Sequence, residues 1–172
     1  MELLIPGLIL VALMVWASTK IKRDAAAAFA AERIDNERFS IDKPEGFLHV
    51  INDDSGFAFR AYSKEYGNGD AKGIRQAEIE IEIFEDSTIE ERKETLANEI
   101  GAIDNEYVFI DAGRRAFRGL IPYKRNEIGF CQHFKIVQEN SRVFELRAIV
   151  LAEHFESLED DLEKAMKSFH IK

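Results

Sequence analysis

The chain has 172 residues, of which 46% are hydrophobic and 32% are charged, so it is long and apolar enough for one globular domain with a short additional segment. Its 32 acidic and 23 basic residues give a net charge of −9. This charge excludes general nucleic-acid binding, which depends on neutralising phosphates. A single cysteine, Cys131, excludes an intramolecular disulfide framework.

The first segment of the chain is apolar. Residues 3–19 read LLIPGLILVALMVWAST and carry no charge. As a helix they would extend about 25 Å, close to the roughly 30 Å hydrocarbon core of a bilayer. Basic residues follow the apolar run at Lys20, Lys22 and Arg23, whereas a cleavable secretion signal has its basic residues in front. The sequence therefore favours a transmembrane anchor over residues 1–23.

The residues expected to hold this anchor are apolar side chains, one interfacial tryptophan and the basic flank: Leu3, Leu8, Leu10, Leu13, Trp16, Lys20, Lys22 and Arg23. By the positive-inside rule the basic flank stays cytoplasmic. The domain is therefore expected on the cytoplasmic side of a bacterial inner membrane, with a periplasmic location as the alternative. Residues 24–36 are Ala-rich without Gly or Pro, which predicts a helical stalk.

From residue 37 onward the hydrophobic period changes from 3.6 to 2, which indicates β-strands. Strands are predicted at residues 39–41, 47–51, 57–62, 77–85, 107–111, 114–123, 129–138 and 142–152. Capping boxes at Thr88 with Glu91 and at Ser157 with Asp160 predict the starts of two amphipathic helices. Residues 37–172 are therefore predicted to form an α+β domain in which two helices cover an antiparallel sheet of about seven to eight strands.

Two stretches of the domain match a known pattern. Phe39, Ile41, Pro44, Gly46 and Phe47 fit an opening F-x-I-x-x-P-x-G-[FW]. Residues 143–169 fit a last strand, a short acidic link and a terminal helix ending in Ser-Phe. In these stretches and in the order of its elements, the chain resembles the PsbP/Mog-type α/β/α sandwich family. The resemblance implies an accessory or binding domain rather than an enzyme, and the matched residues are structural.

A row of carboxylates is the first candidate for chemistry. Glu78, Glu80 and Glu82 alternate with isoleucines, so they share one face of one strand. A row in line cannot converge on one metal ion without help from other strands. We interpret it as a solvated sheet face, with Lys135 and Arg147 as candidate cross-strand partners.

Two further patterns are also interpreted as structural. Cys131 and His133 share a strand face as a nucleophilic dyad would, but no orienting third residue or oxyanion loop is apparent. The glycine-rich loop at residues 63–76 lacks the phosphate-loop spacing and precedes a strand rather than a helix. The sequence therefore predicts no catalytic residue, no metal site, no cofactor and no enzymatic activity.

The distribution of charge indicates binding. Residues 77–106 contain eleven acidic and two basic side chains, whereas residues 114–125 contain five basic and no acidic ones. We call residues 114–125 the basic ribbon; its charges are Arg114, Arg115, Arg118, Lys124 and Arg125. They are predicted to contact an acidic partner or anionic lipid headgroups. The alternative is that the arginines pair with carboxylates of their own domain.

Together these features predict a single-pass, membrane-anchored accessory or assembly subunit that binds a larger bacterial membrane protein complex. Tethering supports such a role because it raises the effective concentration beside a partner, so that weak docking suffices. The alternatives are an exported, PsbP-like envelope binding protein and a small-ligand-binding or hydrolytic enzyme.

Overall fold

The structure, a computed structural model, describes residues 4–51, 54–67 and 73–172. The described residues form the α-helices α1 Leu4–Ala28, α2 Ile89–Glu99 and α3 Phe155–Ser168. Their strands are β1 Glu32–Asp35, β2 Phe39–Lys43, β3 Leu48–His49, β4 Phe59–Tyr62, β5 Ala77–Phe84, β6 Asp104–Asp111, β7 Arg114–Arg125, β8 Ile128–Glu139, β9 Arg142–Leu151 and β10 His170–Ile171.

The strands form two antiparallel sheets. The large sheet has seven strands in the order β3-β4-β5-β9-β8-β7-β6, and the small sheet has the order β1-β2-β10. The α+β class and the antiparallel sheet predicted from period 2 are confirmed. The small sheet was not predicted, because β1 and β10 are too short to show a period of their own.

Each face of the large sheet carries its own part of the core. On one face, the α3 face, buried residues such as Ile81 and Leu146 pack with Met166 of α3 and Phe39 of the small sheet. On the opposite face, the α2 face, Leu96 of α2 packs with a second cluster from β7, β8 and β9. The small sheet and α3 therefore share one core with one face of the large sheet, and α2 covers the other face.

The predicted stalk over residues 24–36 is wrong in its second half. Helix α1 ends at Ala28, and Glu32–Asp35 pairs with β2 as an antiparallel strand. Ile34 lies opposite Ile41 and packs against the core. Arg33 forms an ion pair of 2.6 Å with Asp42 on the neighbouring strand. These tertiary contacts override the local helix propensity of the segment.

The two capping boxes have different outcomes. Thr88 and Glu91 form a complete capping box at the start of α2, as predicted. The second box is wrong, because α3 begins at Phe155, its N-cap residue is His154, and no side chain caps it. Ser157 lies inside the first turn, where its hydroxyl donates to the carbonyl of His154 at 2.8 Å. A 3-10 turn at Ala152–His154 leads directly into the helix and starts it earlier than the sequence indicates.

Helix α1 joins the domain at one end of the large sheet, which we call the α1 end. A cavity of about 490 Å³ at this end is lined by Phe29 after α1, Gly46 before β3, Gln76 before β5 and His154 after β9. The start of β8 lies at the same end, since Phe130 pairs with Leu151. The hairpin tip between β7 and β8 therefore lies at the end of the sheet from which α1 leaves.

Candidate binding surfaces

Helix α1 presents apolar side chains to its surroundings. Eight large hydrophobic residues of the helix are more than half exposed: Ile9, Leu10, Val11, Leu13, Met14, Val15, Trp16 and Ile21. The ammonium of Lys20 lies 5.4 Å from the ring centroid of Trp16. Leu3 and the side chain of Leu8, both predicted for the anchor, lie outside the described residues. Within residues 4–51, 54–67 and 73–172, no helix is both long and apolar enough to cross a membrane.

The exit of α1 is fixed to the domain by hydrogen bonds. The amide of Gly46 donates to the carbonyl of Phe29 at 2.8 Å. The ammonium of Lys43 donates to the carbonyls of Ala30 and, at 2.7 Å, of Phe47. Lys43 is 1% exposed, and burial lowers the pKa of its ammonium below the ordinary value. A buried lysine thus binds the chain just after α1 to the turn before β3.

The basic ribbon is divided between the two faces of the sheet. Arg114 and Arg118 lie on the α3 face, where Arg114 pairs with Glu139 at 2.6 Å and Arg118 pairs with Glu163 of α3. Arg115 lies on the α2 face and pairs with Glu90 of α2 at 2.6 Å. The five charges therefore do not form one continuous patch. Three of them are neutralised by carboxylates of their own domain, which was the alternative interpretation.

These ion pairs affect the titration of their carboxylates. The hydrogen bond from Arg115 lowers the pKa of Glu90. Burial alone would raise the pKa of Glu163, but the hydrogen bonds and charge of Arg118 outweigh it and keep this pKa below its ordinary value. Both carboxylates are thus held in their charged form, which leaves the paired arginines little excess charge for a partner.

The C-terminal end of the basic ribbon differs from the rest in the exposure and pairing of its charges. Lys124 and Arg125 are exposed, and neither forms an ion pair with any residue that the structure describes. The Arg125 guanidinium lies 5.1 Å from the ring centroid of Phe130, on which Tyr123 stacks at 5.3 Å. Burial raises the pKa of the Tyr123 hydroxyl. This part of the ribbon keeps its positive charge available at the α1 end of the sheet.

Two cavities flank Tyr123 on the α2 face. Each has a volume of about 290 Å³, and both have Tyr123 and Arg125 in their walls. We call the pair of cavities the Tyr123 groove. Gln132 on β8 lines one of them and is 2% exposed, with its amide nitrogen buried and without a hydrogen-bond partner in the described chain.

Gln132 was not singled out from the sequence, although a signal for it exists. Phe130, Gln132, Phe134 and Ile136 alternate along β8 and therefore share one face. Three of the four are apolar. A polar side chain in an otherwise apolar row is the kind of exception that needs a partner or a ligand.

The carboxylate row is held in an ion-pair network. Arg147 lies 2.9 Å from Glu82, 3.6 Å from Glu80 and 3.7 Å from Glu145, and Arg60 lies 3.0 Å from Glu78. Arg147 was a predicted partner, but a solvated face is wrong for Glu80, whose side chain is 8% exposed. Burial raises the pKa of Glu80 despite the neighbouring arginines.

Lys135, the other predicted partner of the row, lies on the opposite face. Its ammonium is 2.8 Å from a carboxylate oxygen of Asp111. It also donates to the carbonyls of Phe169, at 2.9 Å, and Met166. Lys135 therefore caps the C-terminal end of α3. No group of three or more metal-ligating side chains is placed to hold a metal ion in the described parts of the chain.

Cys131 and His133 share the α3 face, as period 2 requires, opposite Val150 and Ala148. The ring of His133 stacks on Phe155 at 5.0 Å. Burial raises the pKa of the Cys131 thiol and lowers the pKa of His133. An activated nucleophile pairs a thiolate with a protonated histidine. The raised pKa of Cys131 and the lowered pKa of His133 disfavour both of these charged forms.

The glycine-rich loop is described only in part, because residues 68–72 lie outside the described residues. On either side of them, the amide of Tyr66 donates to the carbonyl of Ile74 at 2.8 Å. Arg75 lies 3.5 Å from Glu65. The base of the loop is therefore closed next to the Tyr123 groove, whose wall includes Arg75.

The layered arrangement of helices around an antiparallel sheet is a PsbP-like fold. A cyanobacterial PsbP (CyanoP) from Synechocystis superposes with a TM-score of 0.58 at 11% identity, over 84% of this chain and 94% of that one. LpqN of Mycobacterium tuberculosis, a protein involved in cell envelope biogenesis, superposes with a TM-score of 0.61 at 10% identity, over 83% and 91%. No family model matches the sequence, and no curated protein matches it. The likeness extends to the fold, and the fold expected from residues 39–47 and 143–169 is confirmed.

Proposed function

We propose that this chain is a membrane-anchored, non-catalytic binding module that serves as an accessory or assembly subunit of a larger bacterial membrane protein complex. The observation that carries the proposal is a helix with eight exposed large apolar side chains, attached to a domain of PsbP-like fold. Each such side chain gains about 1.5–3 kcal/mol on full burial. The free energy of transferring these side chains from water into an apolar medium is therefore favourable, on the order of 10 kcal/mol.

The finer proposal is that residues 1–23, which begin before the described part of α1, span the bilayer. The uncharged run over residues 3–19 supports it, as do the basic residues that follow. We infer a cytoplasmic location for the domain from the same basic flank. The hydrogen bonds of Lys43 and Gly46 would then hold the domain in a defined orientation above the membrane surface.

Extraction and native purification test the subunit role. The full chain, with a tag after Lys172, is extracted from membranes in a mild detergent and purified under native conditions. We expect a complex of defined stoichiometry that contains at least one integral membrane protein. A matched chain with Leu10→Lys and Leu13→Lys should lose this partner. Recovery of the parent chain alone and monodisperse contradicts the subunit role.

An exported binding protein is the second candidate, because LpqN has this fold and is described as involved in cell envelope biogenesis. A reporter that is active on only one side of the inner membrane, fused after Lys172, separates the two. Our proposal requires cytoplasmic activity. Periplasmic activity would support the exported alternative and contradict the assigned orientation.

An enzyme that uses the Cys131 and His133 face is tested separately. In our proposal, Cys131→Ala and His133→Ala leave the native complex and its stoichiometry unchanged, since both residues pack against the core. A loss of function with the domain still folded, as measured by circular dichroism, would support the enzyme.

A further inference from the structure

The starting observation is the buried donor of Gln132. Its amide nitrogen has no hydrogen-bond partner in the described chain. An unsatisfied buried donor costs about 1–3 kcal/mol, and native structures contain few of them. Because Gln132 lines one cavity of the Tyr123 groove, an acceptor in that cavity would satisfy it.

The charge around this donor is positive. Lys124 and Arg125 are in the wall of the same cavity together with a single carboxylate residue, Glu99. The balance leaves one net positive charge, in a chain whose overall charge is −9. One singly charged acceptor neutralises this site, whereas a doubly charged phosphate group would leave an excess negative charge beside Glu99.

The remaining walls are apolar or aromatic. Ile100, at the end of α2, and Tyr123 line the cavity, and the Tyr123 ring stacks on Phe130. Such walls suit the aliphatic stem of a side chain that ends in a polar group. A volume of about 290 Å³ accommodates a side chain of this size.

We propose that the Tyr123 groove binds a carboxylate side chain presented by a peptide segment of the membrane partner. The carboxylate accepts from the Gln132 amide and pairs with Arg125, while the stem of the side chain lies against Tyr123. This inference rests on the proposed function and names the chemistry of the partner. The groove lies at the α1 end of the sheet, where a partner held in the same membrane is within reach.

The test uses the full chain in detergent micelles and nuclear magnetic resonance of the Gln132 side-chain amide. The probe is N-acetyl-glutamate amide, and its uncharged match is N-acetyl-glutamine amide. We expect the glutamate probe to shift the Gln132 signals with a dissociation constant of about 1 mM. The glutamine probe should leave them in place.

Variants separate the groove from the rest of the ribbon. Arg125→Gln should weaken binding of the glutamate probe about tenfold, because it removes a hydrogen bond to a charged group. Arg115→Gln is the matched control, since Arg115 belongs to the same ribbon but pairs with Glu90 outside the groove. It should change the affinity less than twofold. Gln132→Leu removes the unpaired donor, and its binding is followed by the backbone amide signals of β8. It should weaken binding of the glutamate probe about tenfold without lowering the unfolding midpoint.

Several outcomes overturn the proposal. These are the absence of a shift with the glutamate probe, an equal shift with the glutamine probe, and an equal effect of Arg115→Gln and Arg125→Gln. A stronger shift with inorganic phosphate or with phosphatidylglycerol mixed into the micelles would assign the groove to phosphate or lipid instead. A chain that binds the glutamate probe but purifies alone retains the groove and contradicts only the subunit role.

Discussion

Replacing Arg147 by methionine tests the ion-pair network that holds the carboxylate row. Arg147 contacts the carboxylates of Glu82, Glu80 and Glu145 at 2.9, 3.6 and 3.7 Å. The Glu145 side chain is 0% exposed, so the loss of a counter-charge cannot be compensated by water. Methionine keeps most of the aliphatic volume of the arginine and removes the charge.

The loss of stability expected for Arg147→Met follows from the burial of the carboxylates that Arg147 contacts. Removing one partner of a buried ion pair costs about 3–5 kcal/mol, because a charge is left uncompensated. Glu145 keeps Arg92 at 2.8 Å and Glu80 keeps Arg60 at 3.3 Å. We therefore expect the lower end of the range, a decrease of about 3 kcal/mol in the free energy of unfolding. Adding Glu80→Gln to Arg147→Met should recover part of this loss, since the two residues are coupled.

The assay is urea unfolding of the full chain in a mild detergent, followed by circular dichroism. Tryptophan fluorescence is unsuitable, because the chain has one tryptophan and Trp16 lies in α1. The matched control is Arg142→Met, whose pair with Glu85 is 43% and 56% exposed and should cost less than about 1 kcal/mol. If Arg147→Met costs no more than Arg142→Met at equal m-values, the network does not carry the stability assigned to it.

Three further variants test other parts of the fold by the same unfolding assay. Gly119→Ala should lose about 1–3 kcal/mol, because an added Cβ would lie 2.6 Å from the Phe134 ring; an unchanged midpoint would contradict this packing. Lys135→Met should lose about 3 kcal/mol by leaving Asp111 and the last carbonyls of α3 without their donor, and a gain in stability would refute that role. Burial raises the pKa of Glu80 above its ordinary 4.5. The native state therefore binds this proton more tightly than the unfolded state does, and the free energy of unfolding falls as the pH rises from 4.5 through the raised pKa. Glu80→Gln should therefore gain stability relative to the parent as the pH rises above 4.5, and a loss of stability relative to the parent over the same rise would contradict the raised pKa.

Alternation along a strand was the most reliable feature of the sequence. Arg114 and Arg118 are four residues apart on one strand and Arg115 is offset from them by an odd number, and the structure places Arg115 on the opposite face as period 2 requires. Alternation also placed Cys131 and His133 on one face. Period 2 depends only on backbone geometry, so it holds within a strand whatever the neighbours are.

Relations between strands could not be predicted in the same way. Lys135 was expected as a cross-strand partner of the carboxylate row, but the register places Lys135 opposite Leu146, and Glu80 opposite Arg147. The face that a residue shares with another strand depends on this register, which a single sequence does not contain. The pairing of Glu90 with Arg115 and of Glu163 with Arg118 depends on how the helices pack on the sheet, which a single sequence does not contain either.

Local propensity misled the prediction where tertiary pairing was stronger. The Ala-rich segment continues as helix only to Ala28, because Glu32–Asp35 gains a full ladder with β2. The donor of Gln132 was missed because a polar residue within an apolar row has no interpretation until the cavity beside it is known. The Tyr123 groove thus emerged from the structure and not from a motif.

Flotation of the full chain measures whether α1 holds the domain at the membrane. Membranes from cells that express the chain are washed in alkaline carbonate and floated through a density gradient. We expect the parent to float with the membranes and the variant with Leu10→Lys and Leu13→Lys to stay in the soluble fraction. The matched control carries Val108→Lys and Ile110→Lys, which add the same charges at exposed apolar positions of the domain, and should float like the parent. Recovery of the parent in the soluble fraction, or flotation of the α1 variant, would contradict the account.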